Sequence, residues 1–234
     1  MRAKQLSERS PFRIFERSIH GGLGPGNVGV VVSRPGLGKS SFLVGIALNE
    51  LMRGRKVFHV ALEQSVDHVR EYYEEIFTDL AETAHLEDAA NVRLEVERNR
   101  LVHTYIGHSF SMVKFRDSLA SLRDHLHFEP AVVVIDGFPF AGDHYDEIAE
   151  MRAIAGRQGS ELWMTAQTHR EAPPPRPGGL PWPLARYQDL LSVVVGLDAE
   201  GDRIRLRLVK DHDNENIRDL YLDLDPRTML VVER

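Results

Sequence analysis

The sequence predicts an α/β domain with a central, mostly parallel sheet, helices on both faces and an antiparallel C-terminal extension. Over residues 28–166, short apolar segments alternate with segments of helical periodicity, as in parallel sheets whose strands are joined by helices. After residue 190, four apolar segments follow each other too closely for helices to separate them. Residues 1–234 are therefore interpreted as one domain, with an N-terminal arm over 1–20, a proline-rich mobile loop over 168–186 and a β extension over 190–234.

Each predicted element follows from a local pattern. The parallel strands are predicted at residues 28–32, 57–62, 101–106, 131–136 and 162–166. The first and fourth lack polar alternation, which is typical of strands buried on both faces. Helices are predicted at residues 40–53, 66–80, 112–126 and 145–157. The later strands are predicted at residues 192–197, 203–209, 220–224 and 229–232. The highly charged segment 81–100 is either a solvated helix or an insertion.

The composition excludes several classes of protein. The chain contains no Cys, which excludes a disulfide framework, a thiol nucleophile and a Cys-ligated metal. No apolar run is long enough to span a membrane, and the basic N-terminus lacks the apolar core of a secretory signal. We therefore expect a cytoplasmic protein without a membrane span.

The charge is negative overall but unevenly distributed. The net charge is −6, yet residues 1–60 hold ten Lys and Arg against three Asp and Glu, whereas residues 61–150 hold seven against nineteen. An acidic chain is a poor candidate for coating nucleic acid, because such binding depends on cations that neutralise phosphates. The asymmetry indicates either solvated helix faces or a basic face of one subunit that meets an acidic face of the next.

The strongest motif is a phosphate-binding loop between the first predicted strand and the first predicted helix. A glycine-rich turn at this junction lets backbone N–H groups point at an anion, and the helix N-terminus adds partial positive charge. Lys39 can reach the terminal phosphates, and the Ser40 hydroxyl can ligate Mg²⁺. The usual first glycine of the motif is Ser33, a small residue. The predicted nucleotide-binding residues are Ser33, Arg34, Pro35, Gly36, Leu37, Gly38, Lys39, Ser40 and Ser41.

Three polar residues end other predicted strands, at the sheet edge where ligands of parallel sheets bind. Asp136 ends the fourth strand and is predicted to hold Mg²⁺ through water, unless it is an ordinary strand-end carboxylate. Glu63 can polarise the water that attacks the γ-phosphate, or it can simply favour a helix N-terminus. Gln167 can contact the γ-phosphate, or it is a surface amide. The predicted catalytic residues are Lys39, Glu63 and Gln167, with Mg²⁺ and ATP as the cofactor and substrate.

Aromatic side chains near these motifs allow more than one interpretation. Tyr72 or Tyr73 can stack on adenine or belong to the core or the surface. Trp182, in the proline-rich loop, can contact a partner or fold back on the domain.

Taken together, these motifs resemble the RecA-like P-loop ATPases, and in particular their KaiC and DnaB branch. The resemblance covers residues 10–232. It rests on a Gly cluster, strand and Arg-Pro-x-x-Gly-Lys loop, on VALEQS around Glu63, on VVVIDGF ending near Asp136, and on TAQTHR around Gln167. It implies a RecA-like fold, catalytic Glu63, metal-side Asp136, γ-phosphate-sensing Gln167, and assembly into a ring or filament.

The resemblance also implies residues that act on a neighbouring subunit. The segment LVKDHDN resembles the terminal hairpin that reaches the neighbour's ATP, and its Lys falls on Lys210. The family's finger Arg is His212 here, and a neutral imidazole does not replace a guanidinium charge. Trans-activation is therefore expected to be weak or pH-dependent, or to use Arg218 or Lys210.

Four functions remain open from the sequence. We expect an ATPase that couples nucleotide state to assembly or to a protein partner. The alternatives are a single-stranded-DNA helicase or translocase, a small-molecule phosphotransferase, and a nucleotide-binding switch that barely hydrolyses. The candidate DNA-contacting loops are GFPFAGDHYDE, which has no Lys or Arg, and the proline-rich loop with Arg176. These two loops contain too few Lys and Arg residues for a groove that binds a nucleic acid strand, so DNA binding is not favoured.

Overall fold

A nine-stranded sheet forms the centre of the molecule. The computed structural model describes residues 10–176, 178–217 and 219–234. From one side of the sheet to the other, the strands begin at residues 100, 57, 132, 161, 28, 193, 203, 222 and 231. The first six are parallel, and each of the last three is antiparallel to the strand before it. The predicted α/β architecture with a mostly parallel sheet and an antiparallel C-terminal part is therefore confirmed.

The strands lie close to their predicted positions. The parallel strands are β1 Val28–Ser33, β2 Val57–Ala61, β3 Arg100–Thr104, β4 Val132–Asp136, β5 Glu161–Gln167 and β6 Val193–Glu200. The antiparallel strands are β7 Arg203–Asp211, β8 Leu222–Leu224 and β9 Val231–Glu233. Every residue of β1, β2 and β4 is buried, as expected for strands covered on both faces.

Six α-helices and a short 3₁₀-helix connect the strands of the described part. The helices are α1 Pro11–Ser18, α2 Lys39–Leu51, α3 Val66–Thr83, α4 Ala89–Asn99, α5 Met112–Leu126, α6 Tyr145–Gln158 and the 3₁₀-helix Leu184–Tyr187. The segment predicted as an N-terminal arm contains α1, because Phe12 and Phe15 share one face and are buried there. The charged segment 81–100 contains α4, a helix whose Val92 and Val96 face the core.

The sheet separates two hydrophobic cores. One core lies under α1 to α4, and Trp163, Phe42 and Phe77 are among its largest side chains. The other lies under α5, α6 and residues 180–191. The segment predicted as a proline-rich loop, residues 168–186, is not exposed throughout, because Leu180 and Pro183 are buried.

The parallel strands define two edges of the sheet. The carboxyl edge is where β1 to β5 end, at Ser33, Ala61, Thr104, Asp136 and Gln167, and the amino edge is the opposite one, where they begin. In the part of the chain that the structure describes, no helix combines the length and apolarity needed to cross a membrane.

Candidate functional site

The loop that joins β1 to α2 lies at the carboxyl edge. β1 is paired with β5 on one side and β6 on the other, so the loop leaves from the middle of the sheet. Gly36 and Gly38 adopt positive φ angles of +78° and +77°. The positive φ favours glycine at position 38, and a Cβ atom there would lie 2.7 Å from Cδ2 of Leu224, so that this side chain would have to shift. Gly38 is the N-cap of α2 and has no side chain that could accept from the helix. The first N–H groups of α2 are therefore available to an anion.

Lys39 folds back over this loop. Its Nζ donates to the carbonyl oxygens of Arg34 at 3.2 Å and Ser33 at 3.4 Å, and it lies 3.5 Å from Ser33 Oγ. Burial lowers the pKa of the Lys39 ammonium, and the negative charge of Asp136 opposes this effect. The ammonium therefore has neutral acceptors as hydrogen-bond partners in a partly desolvated position, where an anionic ligand would stabilise it.

Asp136 is oriented by a hydrogen-bonded chain at the end of β4. Thr165 donates from Oγ1 to Asp136 Oδ1 at 2.6 Å, and the N–H of Gly137 donates to Thr165 Oγ1 at 2.9 Å. The Asp136 side chain is buried. Thr165 was not singled out in the sequence, although a hydroxyl within the otherwise apolar stretch LWMTA was an available signal.

Glu63 and Gln64 lie beside Asp136. Leu62 donates its N–H to the carbonyl oxygen of Asp136 at 2.9 Å, which joins the two strand ends. A Cβ atom on Gly137 would be 3.5 Å from Glu63 Cγ, so Glu63 packs alongside the residue that follows Asp136. Glu63 is exposed, whereas the side-chain oxygen of Gln64 is buried and has no hydrogen-bond partner among the described residues.

Gln167 ends β5 directly opposite the start of the phosphate-binding loop. The register pairs Gln167 with Ser33, and the following N–H, that of Thr168, donates to the carbonyl oxygen of Ser33 at 3.0 Å. Gln167 is exposed at this junction. The Gln167 amide is therefore adjacent to the phosphate-binding loop, and the backbone that follows Gln167 is hydrogen-bonded to the start of that loop.

Five predicted site residues line one open cleft of about 370 Å³: Lys39, Ser40, Glu63, Asp136 and Gln167. Its walls are Pro35, Gly36, Lys39, Ser40, Glu63, Gln64, Asp136, Gly137, Phe138, Pro139, Phe140, Ala141, Thr165, Gln167, His169 and Trp182. Trp182 folds back on the domain, which confirms one of its two interpretations. Its ring packs against His169, with the ring centroids 5.1 Å apart. His169 was not singled out in the sequence, although it lies in the motif TAQTHR, two residues after Gln167.

The oxygen donors in the cleft suit a hard divalent cation. The Ser40 hydroxyl and the Asp136 carboxylate are ligand types that Mg²⁺ prefers, and Thr165 occupies only one of the two carboxylate oxygens among the described hydrogen bonds. Mg²⁺ bound there would neutralise phosphate charge.

Other candidate residues lie away from the cleft or inside the protein. Tyr73 is buried, and its hydroxyl lies 3.1 Å from Nδ1 of His59. In the acidic loop after β4, Phe138 and Phe140 are buried, and the Tyr187 hydroxyl donates to the carbonyl of Gly142 at 2.7 Å. Phe138 and Phe140 therefore pack inward and do not form a stacking surface.

The residues predicted to act on a neighbour lie at the amino edge, across the sheet from the cleft. Lys210 donates to the carbonyl of Gln188. His212 contacts Leu23 O at 3.0 Å through Nε2 and Asp211 Oδ1 at 2.9 Å through Nδ1. Both side chains therefore have partners within their own chain. Arg218 lies outside the described residues.

Neither a scan against protein-family models nor a search of curated proteins found a match for this chain.

Proposed function

We propose that this chain binds magnesium-bound ATP through residues 33–41, hydrolyses it, and couples the nucleotide state to self-assembly or to a protein partner. One observation carries the proposal: a glycine-rich loop with Lys39 at the first turn of α2 opens into the same cleft as Glu63, Asp136 and Gln167. Chance would not bring an ammonium, two carboxylates and an amide from four segments to one edge beside such a loop. The RecA-like character, of the KaiC and DnaB branch, is part of this proposal.

Each residue has a distinct role in the proposed reaction. The loop N–H groups and Lys39 bind the β- and γ-phosphates, while Ser40 and Asp136 hold Mg²⁺. Glu63 accepts a proton from water as the water oxygen bonds to the γ-phosphorus and the bond to the β–γ bridging oxygen breaks. Gln167 donates to the γ-phosphate, and its backbone connection to Ser33 and to residues 168–183 carries the change on hydrolysis to that loop.

A nucleotide-dependent switch with slow turnover is the second candidate. It is favoured by the partners of Lys210 and His212 within their own chain, because residues engaged in this way are not free to stabilise charge in a neighbouring site. The two candidates share ATP binding and differ in the rate of the chemical step.

The test measures phosphate release and nucleotide affinity in three proteins, without any added acceptor. We expect the parent to hydrolyse ATP, Glu63→Gln to keep ATP affinity within about twofold while losing about 100-fold or more in rate, and Lys39→Ala to lose both. Glu71→Gln, an exposed carboxylate on α3, is the matched control and should behave as the parent.

Different outcomes contradict different parts of the proposal. Full hydrolysis in Glu63→Gln would exclude Glu63 as the base, and slow hydrolysis in the parent with tight binding would favour the switch. If calorimetry detects no uptake of magnesium-bound ATP by the parent, the proposal is wrong. Size-exclusion chromatography with and without a non-hydrolysable ATP analogue tests the coupling to assembly.

A further inference from the structure

The cleft contains more fixed negative charge than fixed positive charge. Among its lining residues, Lys39 is the only Lys or Arg, against the carboxylates of Glu63 and Asp136. Magnesium-bound ATP is itself an anion, and phosphoryl transfer requires cationic groups at the γ-phosphate. Arg34 of the phosphate-binding loop is exposed and lies outside the cleft lining, so within the lining Lys39 has no second Lys or Arg beside it.

His169 is the lining residue that can become positive. It lies two residues after Gln167, and the backbone between them is bonded to Ser33 of the phosphate-binding loop. Its imidazole is exposed, and no side-chain hydrogen bond or ion pair joins it to another described residue. Both ring nitrogens are therefore free to donate to a ligand once the ring is protonated.

Packing holds this imidazole at the cleft. The His169 and Trp182 rings have centroids 5.1 Å apart and are inclined by 40°. Trp182 is only partly exposed, and the next residue, Pro183, is buried. The carbonyl of His169 accepts the N–H of Ala172 at 3.1 Å, so the backbone at this turn is also ordered.

We propose that protonated His169 donates a hydrogen bond to the γ-phosphate and that Trp182 positions it. This inference rests on the proposed function and adds a γ-phosphate-binding residue within the same chain. The imidazolium keeps its proton during the reaction and contributes charge. Since ADP lacks the γ-phosphate, His169 distinguishes ATP from ADP, and it does so more strongly at low pH.

The charged groups that face or flank His169 come from each neighbouring segment. They are Lys39 of the loop, Glu63 after β2, Asp136 at the end of β4, and Arg170, Glu171 and Arg176 of the loop after β5.

The test is calorimetry of magnesium-bound ATP and ADP binding in the Glu63→Gln background, which blocks hydrolysis, at several pH values and in buffers of different ionisation enthalpy. We expect ATP binding, compared with ADP binding, to take up a fraction of a proton between about pH 7 and 8. We also expect the ratio of ATP to ADP affinity to fall about tenfold from about pH 6 to 8.5.

Variants assign this proton to His169. In His169→Gln, the extra proton uptake should disappear and the affinity ratio should stay low at every pH. In His169→Arg the ratio should stay high, because the guanidinium keeps its charge. His125→Gln, an exposed histidine at the end of α5, is the matched control and should reproduce the background protein. The titration of the γ-phosphate itself is common to all of them and cancels in the comparison.

Trp182 is tested by truncation and by a conservative change. Trp182→Ala should lower the affinity ratio at low pH towards that of His169→Gln, whereas Trp182→Phe should retain it, because an aromatic ring still supports the imidazole. Equal ratios in the two variants would exclude a positioning role.

The failures of the two proposals are distinguishable. If His169→Gln has the same proton uptake and pH profile as the background protein, while Lys39→Ala abolishes ATP binding, the inference is wrong and the proposed function stands. If none of the proteins binds magnesium-bound ATP, both are wrong.

Discussion

The two edges of the parallel sheet differ in how their charged and polar side chains are partnered. At the amino edge, charges are buried with partners of opposite sign. At the carboxyl edge, Lys39 rests on backbone carbonyls, while Glu63 and Gln167 are exposed in an open cleft. Buried charges need partners, whereas groups that bind a ligand must be left available to it. The contrast indicates that the amino edge stabilises the fold, whereas the carboxyl edge has polar groups available to a ligand.

The amino edge is held by a network centred on Glu50, near the end of α2. Its carboxylate pairs with Arg53 at 2.7 Å and with Arg55, which also reaches Glu161 at 3.1 Å. Arg53 in turn contacts Glu16 of α1. Burial raises the pKa of the Glu50 carboxyl, and the charges of Arg55 and Arg53 offset part of that effect. The network thus joins α1, α2 and the segments at the start of β2 and β5.

The largest effect on stability is expected from Glu50→Ala. The variant leaves two partly buried guanidinium groups without their shared partner, so the free energy of unfolding should fall by about 3–4 kcal/mol. Urea unfolding followed by circular dichroism measures it. The control is Glu150→Ala, which breaks an exposed pair with Arg116 and should cost below about 1 kcal/mol. Similar losses in the two variants, or weaker ATP binding per folded Glu50→Ala molecule, would break the distinction between the edges.

The pH dependence of stability should depend on a histidine between the two edges. Burial lowers the pKa of His59 from 6.5 to about 4, although Asp136 favours the charged form. The unfolded chain therefore binds more protons than the folded one between these values, and stability falls as the pH falls through this window. At about 1.4 kcal/mol per pH unit, the total loss is about 3 kcal/mol.

This contribution is measured by unfolding at several pH values in the parent and in His59→Phe. The variant should lose less stability on acidification, because Phe has no proton to bind. The unpaired Tyr73 hydroxyl would shift its curve equally at every pH, and so would not change the slope. Parallel curves for the two proteins would show that His59 does not titrate in this window.

A smaller effect on stability, coupled to function, is expected from Thr165→Val at the carboxyl edge. The near-isosteric change leaves the Gly137 N–H without its acceptor and Asp136 without its donor, which should lower the free energy of unfolding by about 1–2 kcal/mol. ATP affinity should fall about tenfold with Mg²⁺ and stay unchanged without it. Thr104→Val, at the end of β3, is the control. A loss of affinity that does not depend on Mg²⁺ would contradict the role of Thr165 in orienting Asp136.

Much of the fold was predictable because its signals are local. The apolar and amphipathic patterns predicted β1 to β5 as parallel strands, whereas β6 was predicted as a strand of the C-terminal extension and pairs in parallel with β1. α5 begins and ends at the predicted residues, 112 and 126. The last two strands begin two residues after their predicted starts, since β8 and β9 have only three residues each and pairing fixes their limits. α1 was not predicted, because Phe12 and Phe15 stabilise a helix here only when they pack against Phe42 of α2.

The candidate site, like the fold, was predictable only in part from the sequence. The sequence by itself determined the glycine-rich loop, its lysine and the strand-end carboxylates and amide, because short motifs and strand ends encode them. Only the tertiary structure decided that β4 and β5 lie between β2 and β1, that Thr165 donates to Asp136, and that the Trp182 ring packs against His169. The physical reason is that side-chain periodicity is written along the chain, whereas strand order and loop packing depend on contacts between residues far apart in it.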